Sequence, residues 1–241
     1  MKEESVSLFN ISQGKEGIFE LPKTLSQSIT QYLEKEIIEG KLSAGTRLLP
    51  DELSSRLNVS KSPIREALLC LERDGLILNK ARVGFFVSDI KLEDIEEIYP
   101  IRAALYGLVI NSIIKKGFET DFITSLEQML EEMKHCVQKD DVKEYFYINV
   151  RLYNYILDYC PNRRVSNMLD LLGKQVLRFR FMSMSNPGYI KRSLEGHMRL
   201  INAIKNKDIE RSVRIMEGII LTALDVLPKL LYQNLMEVLL H

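Results

Sequence analysis

The sequence has few cysteines, no surplus of charge of either sign and no long apolar run, and each shortage closes off a class of protein. Its three cysteines, Cys70, Cys136 and Cys160, are widely spaced and form no CxxC pair. They make neither a disulfide framework nor a cysteine-rich zinc site, and a reducing cytoplasm is the expected location. No apolar stretch approaches the ~18 residues of a membrane span. Met1 to Phe9 carries Lys2, Glu3 and Glu4 with no greasy run behind them, unlike a signal peptide. Lysine plus arginine and aspartate plus glutamate each number 33, so the whole molecule exerts no net pull on a polyanion. A nucleic-acid site must then be a local patch. Internal repeats are absent, which excludes a solenoid. A nucleophile elbow, a phosphate-binding glycine loop, a zinc-hydrolase motif and paired carboxylates are absent too, so neither an enzyme nor a cofactor is expected.

What is present is enough apolar sequence, 46% of 241 residues, to bury a substantial core in one large domain or two smaller ones. Residues 1–22 mix Ser, Gly, Lys and Glu without a period and read as a mobile arm. From Leu25 the pattern changes. Leu25, Ile29, Tyr32, Leu33 and Ile37 share one helical face, and Gly40 stops that helix. A turn over Leu42 to Thr46 follows. Leu53 and Leu57 mark a short helix, Asn58-Val59-Ser60 a tight break, and Ile64, Ala67, Leu68 and Leu71 the inner face of another helix. Leu76-Ile77-Leu78 and Phe85-Phe86-Val87 then form a hairpin with a basic tip.

After Asp89 the strand signal vanishes. Helices are expected over Leu92–Lys116, Thr120–Lys139, Val142–Tyr159, Arg163–Met182, Pro187–Lys205 and Ile209–Leu231. Short connections between long amphipathic helices argue for an antiparallel bundle.

Between Leu53 and Arg65 the chain carries Arg56, Lys61 and Arg65 and no acidic residue. Ser60 or Ser62 can cap the second short helix and Pro63 suits its first turn, leaving backbone amides and hydroxyls facing outward. Such an end binds phosphate or enters a groove. The hairpin adds Lys80 and Arg82 at its tip, with Gly84 allowing close backbone approach to a sugar-phosphate edge. Singly, each cation reads as merely solvated. In this order, as helix, short helix, turn, capped helix and basic-tipped hairpin, they point to DNA binding.

These residues resemble the winged-helix signature of the GntR family of bacterial regulators. The matching stretches are Gly45-Thr46-Arg47-Leu48, Asp51-Glu52-Leu53, Val59 through Leu68, and Leu71-Glu72-Arg73-Asp74-Gly75-Leu76-Ile77. The resemblance implies that Ser60, Lys61, Ser62 and Arg65 face DNA from a recognition helix and that the tip around Arg82 and Gly84 enters the minor groove. Arg47 is counted with the DNA-facing set. Two residues depart from the pattern. Lys61 replaces the usual arginine fork by a point charge, and Asp51 stands where some members carry a basic phosphate contact.

The helical half resembles the FadR-type C-terminal domain, FCD, which one GntR subfamily uses to sense carboxylates and related metabolites. Glu97 to Leu105 is similar to its opening helix, with Arg102 at the usual arginine position. Asn149 to Tyr153 resembles the D-x-x-F-H segment. Glu195-Gly196-His197 through Asp208 resembles E-H-x-x-I-x-x-A-I-x-x-G-D with one extra residue before the histidine. The metal ligands of metal-binding members fall here on Asn149, Tyr153, His197 and Ile219, of which only His197 is retained. An amide, a phenol, one imidazole and an alkyl group do not make a zinc or nickel site, so no metal is expected. A shifted ligand set using Asp158, Glu195 or His135 is the alternative, although those residues do not fall at matching positions.

The resemblance instead brings Arg102, Asn149, Tyr153 and His197 together around a polar or anionic effector. The plainer reading of His197 is a satisfied histidine inside the bundle. Arg178 and Arg180 are secondary candidates for this pocket, with a solvated or interface role the expected one; the methionines and the Tyr145–Tyr159 aromatics could line a greasy cavity, with core packing the default.

The expected protein is therefore mostly α, with an N-terminal winged helix-turn-helix over 23–89 and an all-helical effector-binding and dimerisation domain over 90–235. Its partners are a palindromic double-stranded DNA operator, a second copy of itself and a small-molecule effector, with no membrane. A regulator whose degenerate helical domain serves only for dimerisation or protein docking is the alternative.

Overall fold

The computed structural model describes residues 23–89 and 91–232. The arm expected over 1–22, Ile90 and the end of the helical domain beyond residue 232 lie outside the described residues. What is described falls into two compact units divided after Asp89.

In the first unit, α1 (Leu25–Ile38) opens with a capping box: Thr24 Oγ1 accepts from the Gln27 amide while the Thr24 amide donates to Gln27 Oε1 at 2.8 Å. Gly40, at φ +75°, takes the chain out of the helix through a left-handed conformation. β1 (Arg47–Leu48) follows the turn and was not visible in the sequence, because two residues carry no alternation. Then come α2 (Pro50–Leu57), with Pro50 in its first turn, and α3 (Lys61–Arg73), separated by Asn58 in the left-handed region at φ 52°. β2 (Ile77–Lys80) and β3 (Gly84–Val87) complete an antiparallel sheet of order β1-β3-β2, in which Arg47 faces Phe86, Leu48 faces Phe85 and Lys80 faces Gly84. One core of Leu33, Leu53, Ile64, Leu68, Leu71, Ile77 and Val87 locks the three helices to the sheet. Each large side chain so buried contributes about 1.5–3 kcal/mol. Because α3 commits Ile64, Ala67, Leu68 and Leu71 inward, Lys61, Ser62, Arg65 and Glu66 face outward.

The second unit is a helical bundle. α4 (Leu92–Lys116), α5 (Thr120–Lys139) and α6 (Val142–Tyr159) have the bounds expected from periodicity. Their ends are set by side chains: Asp141 accepts from the Glu144 amide to start α6, and Asp140, at φ 53°, ends α5. The single helix expected over Arg163–Met182 is two, α7 (Arg163–Gln175) and α8 (Leu177–Ser185), broken at Val176. Val176 is fully buried and its amide donates to the Lys174 carbonyl, only two residues back. Apolar residues continue on both sides of the break, so periodicity did not reveal it; Gly173 in the preceding turn weakens the local helical preference. α9 (Tyr189–Lys205) starts after Gly188 rather than at Pro187. α10 (Ile209–Leu221) passes into a 3₁₀ turn, Thr222–Asp225, before helical backbone resumes at Leu227, so the helix expected over Ile209–Leu231 is interrupted. Among the described residues no helix is long and apolar enough to cross a membrane.

Candidate functional site

The outward end of α3 presents an unusual surface for a helix start. Ser60 occupies the N-cap position, yet its hydroxyl makes no capping bond, and the first turn contains no acidic residue. Ser60, Lys61, Ser62 and Arg65 are all exposed. Lys61 and Arg65 are one helical turn apart and share a face. Ser62 Oγ lies 3.4 Å from Glu66 Oε1. Lys61 Nζ is paired with Asp51 Oδ1 at 2.9 Å, so the cation of α3 meets the carboxylate of α2. Free backbone amides, hydroxyls and two cations make a surface suited to phosphates and base edges.

The hairpin tip is the three residues Ala81-Arg82-Val83. Arg82 is exposed with φ 63°, and the Val83 amide closes the turn on the Lys80 carbonyl at 2.9 Å. Gly84 has φ 120°, a conformation L side chains rarely adopt. Arg47 is exposed but is not a loose cation: it donates to the Val83 carbonyl, and its guanidinium lies 5.9 Å from the centre of the Phe86 ring. Lys80 Nζ sits 4.9 Å from the same ring centre. Arg47, Lys80, Arg82 and Gly84 thus form one assembly at the wing, with Arg47 tying β1 to the tip.

In the helical unit, Arg102 of α4, Asn149 and Tyr153 of α6 and His197 of α9 all line one cavity of about 30 Å³. All four are buried. Arg180 of α8, a secondary candidate, lines it as well and is only 8% exposed, so the solvated or interface position expected for it is corrected. The turn at Val176 separates α8 from α7, and Arg180 shares the buried side of α8 with Leu177, Phe179, Ser183 and Met184. Arg180 follows the apolar Val176 by four residues, about one helical turn, and that spacing is the sequence signal for its burial; Arg178, off that face, is only part-buried.

Hydrogen bonds order this site. Arg180 Nη2 donates to Asn149 Oδ1 at 2.8 Å, which leaves the Asn149 amide group, 3.3 Å from His197 Nε2, as donor to the imidazole. His197 Nδ1 lies 2.7 Å from the Ser193 carbonyl, an acceptor, so the ring proton belongs on Nδ1 and Nε2 is the bare nitrogen. Burial pushes the His197 pKa down to about 4, the Ser193 carbonyl opposes this and Arg180 adds to it, so the ring is neutral at physiological pH. Tyr153 packs edge-on against His197 and Tyr106, at centroid distances of 5.7 and 5.0 Å, and burial raises its phenol pKa. Arg180 lies over the Tyr153 ring at 5.1 Å, and Arg102 against Tyr99 and Tyr106 at 5.4 and 5.7 Å. Burial, then the charge of Arg102, lowers the pKa of Arg180. Arg102 Nε and the Tyr99 hydroxyl are buried without a hydrogen-bond partner. Among the described residues no group of three or more His, Cys, Asp or Glu side chains is gathered so as to hold a metal ion.

Residues 25–87 match the gntR family of bacterial regulatory proteins, and residues 97–222, more than half of the chain, match the FCD domain. The HTH-type transcriptional regulator YdhC of Bacillus subtilis is 29% identical over 195 residues, covering 80% of this chain and 87% of that protein. The gluconate operon transcriptional repressor of the same organism is 28% identical over 185 residues, covering 75% of each. The solved structure of Escherichia coli McbR/YncC superimposes with a TM-score of 0.71 at 21% identity, covering 86% of this chain and 99% of that one. A GntR regulator from Rhodococcus sp. RHA1 gives 0.69 at 16% identity, covering 86% and 97%. A three-helix unit with a small antiparallel wing, joined to an FCD bundle, accounts for the whole described chain: it belongs to the GntR family, as a DNA-binding transcription regulator with an FCD effector-binding domain and not an enzyme.

Proposed function

We propose that this regulator binds a palindromic operator as a cytoplasmic homodimer and that a small polar or anionic effector in the FCD cavity sets its affinity for DNA. Ser60, Lys61, Ser62 and Arg65 contact the major groove, Arg82 and Gly84 the minor groove, and Arg47 holds the wing. Arg102, Asn149, Tyr153 and His197, joined by Arg180, bind the effector without a metal. The observation that carries the sensor reading is the polar cavity itself: Arg102, Asn149, Tyr153, Arg180 and His197, all buried, converge on it from α4, α6, α8 and α9. Buried polar groups are costly unless satisfied, and Arg102 Nε and the Tyr99 hydroxyl are not.

The small DNA interface of a single winged-helix module favours a dimer, since two modules related by a two-fold axis read a palindrome. Exposed apolar residues on the neighbouring helices α4 (Ile101, Leu108) and α7 (Met168, Leu171) support it as well. The effector acts only by binding the DNA-competent and DNA-incompetent arrangements with different affinity. The small size of the cavity favours a second reading, in which the bundle serves only for dimerisation or protein docking.

The experiment that separates the two is a metabolite screen read by thermal stabilisation and by operator binding. A compound that does both, with its effect on DNA abolished in Arg102→Ala and His197→Ala while DNA affinity without it is spared, supports the sensor. Stabilisation by none of the compounds, and unchanged operator binding throughout, supports the docking bundle.

A further inference from the structure

We infer that Phe86 is a positioning residue for DNA binding: its ring holds the Arg47 and Lys80 cations beside the hairpin tip, where both grip phosphates along the rim of the groove that the tip enters. This deepens, and rests on, the reading above in which the wing contacts DNA, and it adds Lys80 and Phe86 to that contact. The sheet register puts the three side chains together. Residues paired across antiparallel strands point to the same side, and successive residues of one strand to opposite sides. Phe86 is paired with Arg47 on β1 and with Leu78 on β2, and Lys80, two residues beyond Leu78, is paired with Gly84. Arg47, Leu78, Lys80 and Phe86 therefore share the outer face of the sheet, while Leu48, Ile77 and Val87 are buried on the inner one. On that outer face the Lys80 ammonium and the Arg47 guanidinium lie 4.9 and 5.9 Å from the same ring centre. Lys80 is a diagonal neighbour of Phe86, and Gly84 opposite it has no side chain to keep its stem off the ring.

Ion pairs elsewhere in this unit engage Lys41 and Lys61. Around the wing the chain carries no acidic residue from Lys41 to Pro50 or from Leu76 to Ser88. The Phe86 ring does there what a carboxylate does elsewhere, and does it without negative charge. Its quadrupole attracts each cation, an effect worth about two- to fivefold per contact at an exposed site. It neither neutralises the cation nor repels a phosphate, whereas Lys61 stands against Asp51 Oδ1 at 2.9 Å. A cation already held in place also loses less side-chain freedom when it binds. Two like charges against one ring repel each other until an anion joins them. Their place supplies that anion: Lys80 directly precedes the tip residues Ala81-Arg82-Val83, and Arg47 donates to the Val83 carbonyl. Both charges thus stand next to the part of the wing that enters the minor groove, whose edges are the two phosphate backbones.

The test uses the full-length protein and a duplex carrying the operator recovered by selection from a random-sequence library. Phenylalanines bearing one, two and three ring fluorines are introduced at position 86; they nearly keep the size of the ring while draining its negative face. Affinity is read by fluorescence anisotropy at several salt concentrations, and stability by thermal unfolding. Expected is a stepwise loss of affinity along the series, reaching about fivefold with three fluorines, at an unchanged melting temperature. Phe86→Tyr, which keeps the π face, should bind within about twofold of wild type, and Phe86→Leu about as weakly as the trifluorinated protein. Lys80→Met keeps the stem and removes the charge; it should flatten the salt slope by about 0.9 and make the fluorine series shallower. The fluorine series stands by itself if Phe86→Leu does not fold. Affinity that stays flat along the series while Arg82→Ala weakens binding overturns the inference and leaves the wing in contact with DNA. A loss of affinity that tracks a loss of stability, and is equally steep in Lys80→Met, overturns it as well, because the ring then only supports the sheet. Affinity unchanged both along the series and in Arg82→Ala removes the wing from DNA and overturns both.

Discussion

Lys61 Nζ lies 2.9 Å from Asp51 Oδ1, so the two residues of the winged helix that depart from the GntR pattern face each other as one ion pair between α3 and α2. Both side chains are well exposed, at 57% and 73%, and such a pair adds little to stability, up to about 1 kcal/mol. Its consequence lies in binding. A carboxylate beside the recognition helix repels phosphate and holds the ammonium that would otherwise replace a counterion. Asp51→Asn should therefore raise DNA affinity several-fold and steepen the dependence of log K on log salt by about 0.9, one phosphate contact's worth. The gain should shrink in a Lys61→Ala background, which a double-mutant cycle reads as coupling. Unchanged affinity and salt slope in Asp51→Asn would remove the pair from the DNA interface.

Arg65 and Lys61 should separate in their signatures. Arg65→Ala is expected to cost roughly 1–3 kcal/mol of operator binding and to relax the base preference at one position of each half-site, as when a guanidinium fork is lost. Lys61→Ala is expected to weaken all sequences evenly and flatten the salt slope. Fluorescence anisotropy on operator and scrambled duplexes at several salt concentrations measures both. Identical behaviour of operator and scrambled DNA toward Arg65→Ala would remove it from base readout.

At the wing, a Cβ on Gly84 would meet Arg47 Nε at 3.7 Å, an ordinary contact, so space is not the obstacle; the backbone at φ 120° is. Gly84→Ala should cost roughly 1–3 kcal/mol of strain, seen as a lower urea midpoint, and should displace the tip that Arg47 holds through the Val83 carbonyl. Operator affinity should fall with it, whereas Arg82→Ala should lower affinity at unchanged stability. Equal stability of Gly84→Ala and wild type would show that the turn relaxes freely.

How much of this was legible in sequence depends on the length scale of each feature. α4, α5 and α6 were readable to the residue, because 18 to 25 positions of helical period end at polar caps such as Asp140 and Asp141. β1 was not, since Arg47 and Leu48 gain strand geometry only by pairing with Phe86 and Phe85. The break at Val176 was hidden by an apolar pattern continuing through it, and with it the burial of Arg180. Gly196 was legible only as an extra residue before His197. Its physical reason is tertiary: a Cβ there would fall 2.9 Å from Ile219 Cγ1, so α9 and α10 approach through a position only glycine fills. The partnership of Lys61 with Asp51, ten residues apart, also required the fold.

His197 should make the protein acid-sensitive. An ordinary imidazole titrates near 6.5, as His197 would when unfolded, whereas in the fold it takes up a proton only at about 4. The unfolded chain thus binds more protons between these values. The contribution to stability is fully present above pH 6.5 and is lost as pH falls toward 4, on the order of 3 kcal/mol in all. Urea unfolding at pH 7, 5.5 and 4.5 should show that decline in wild type and a much flatter profile in His197→Gln. Parallel profiles would mean that the imidazole is solvated and free to protonate.

The dimer is tested most directly at α4 and α7. Ile101 and Leu108 on α4 and Met168 and Leu171 on α7 are 44–52% exposed, and an apolar surface on two neighbouring helices is what a self-complementary interface of ~800 Å² per partner would cover. Charges introduced there cost little in the monomer, which already exposes these positions, but are desolvated and placed near their own symmetry mates in an isologous pair. Leu108→Glu combined with Met168→Glu should therefore convert a micromolar dimer into a monomer by light scattering, with nearly unchanged helicity, and weaken operator binding far more than half-site binding. Met198→Glu on α9, at a residue 50% exposed, should change neither and serves as the control. A double variant that remains dimeric would move the interface elsewhere on the bundle; a wild-type protein that is monomeric at micromolar concentration and occupies one half-site alone would remove the two-fold model of operator recognition.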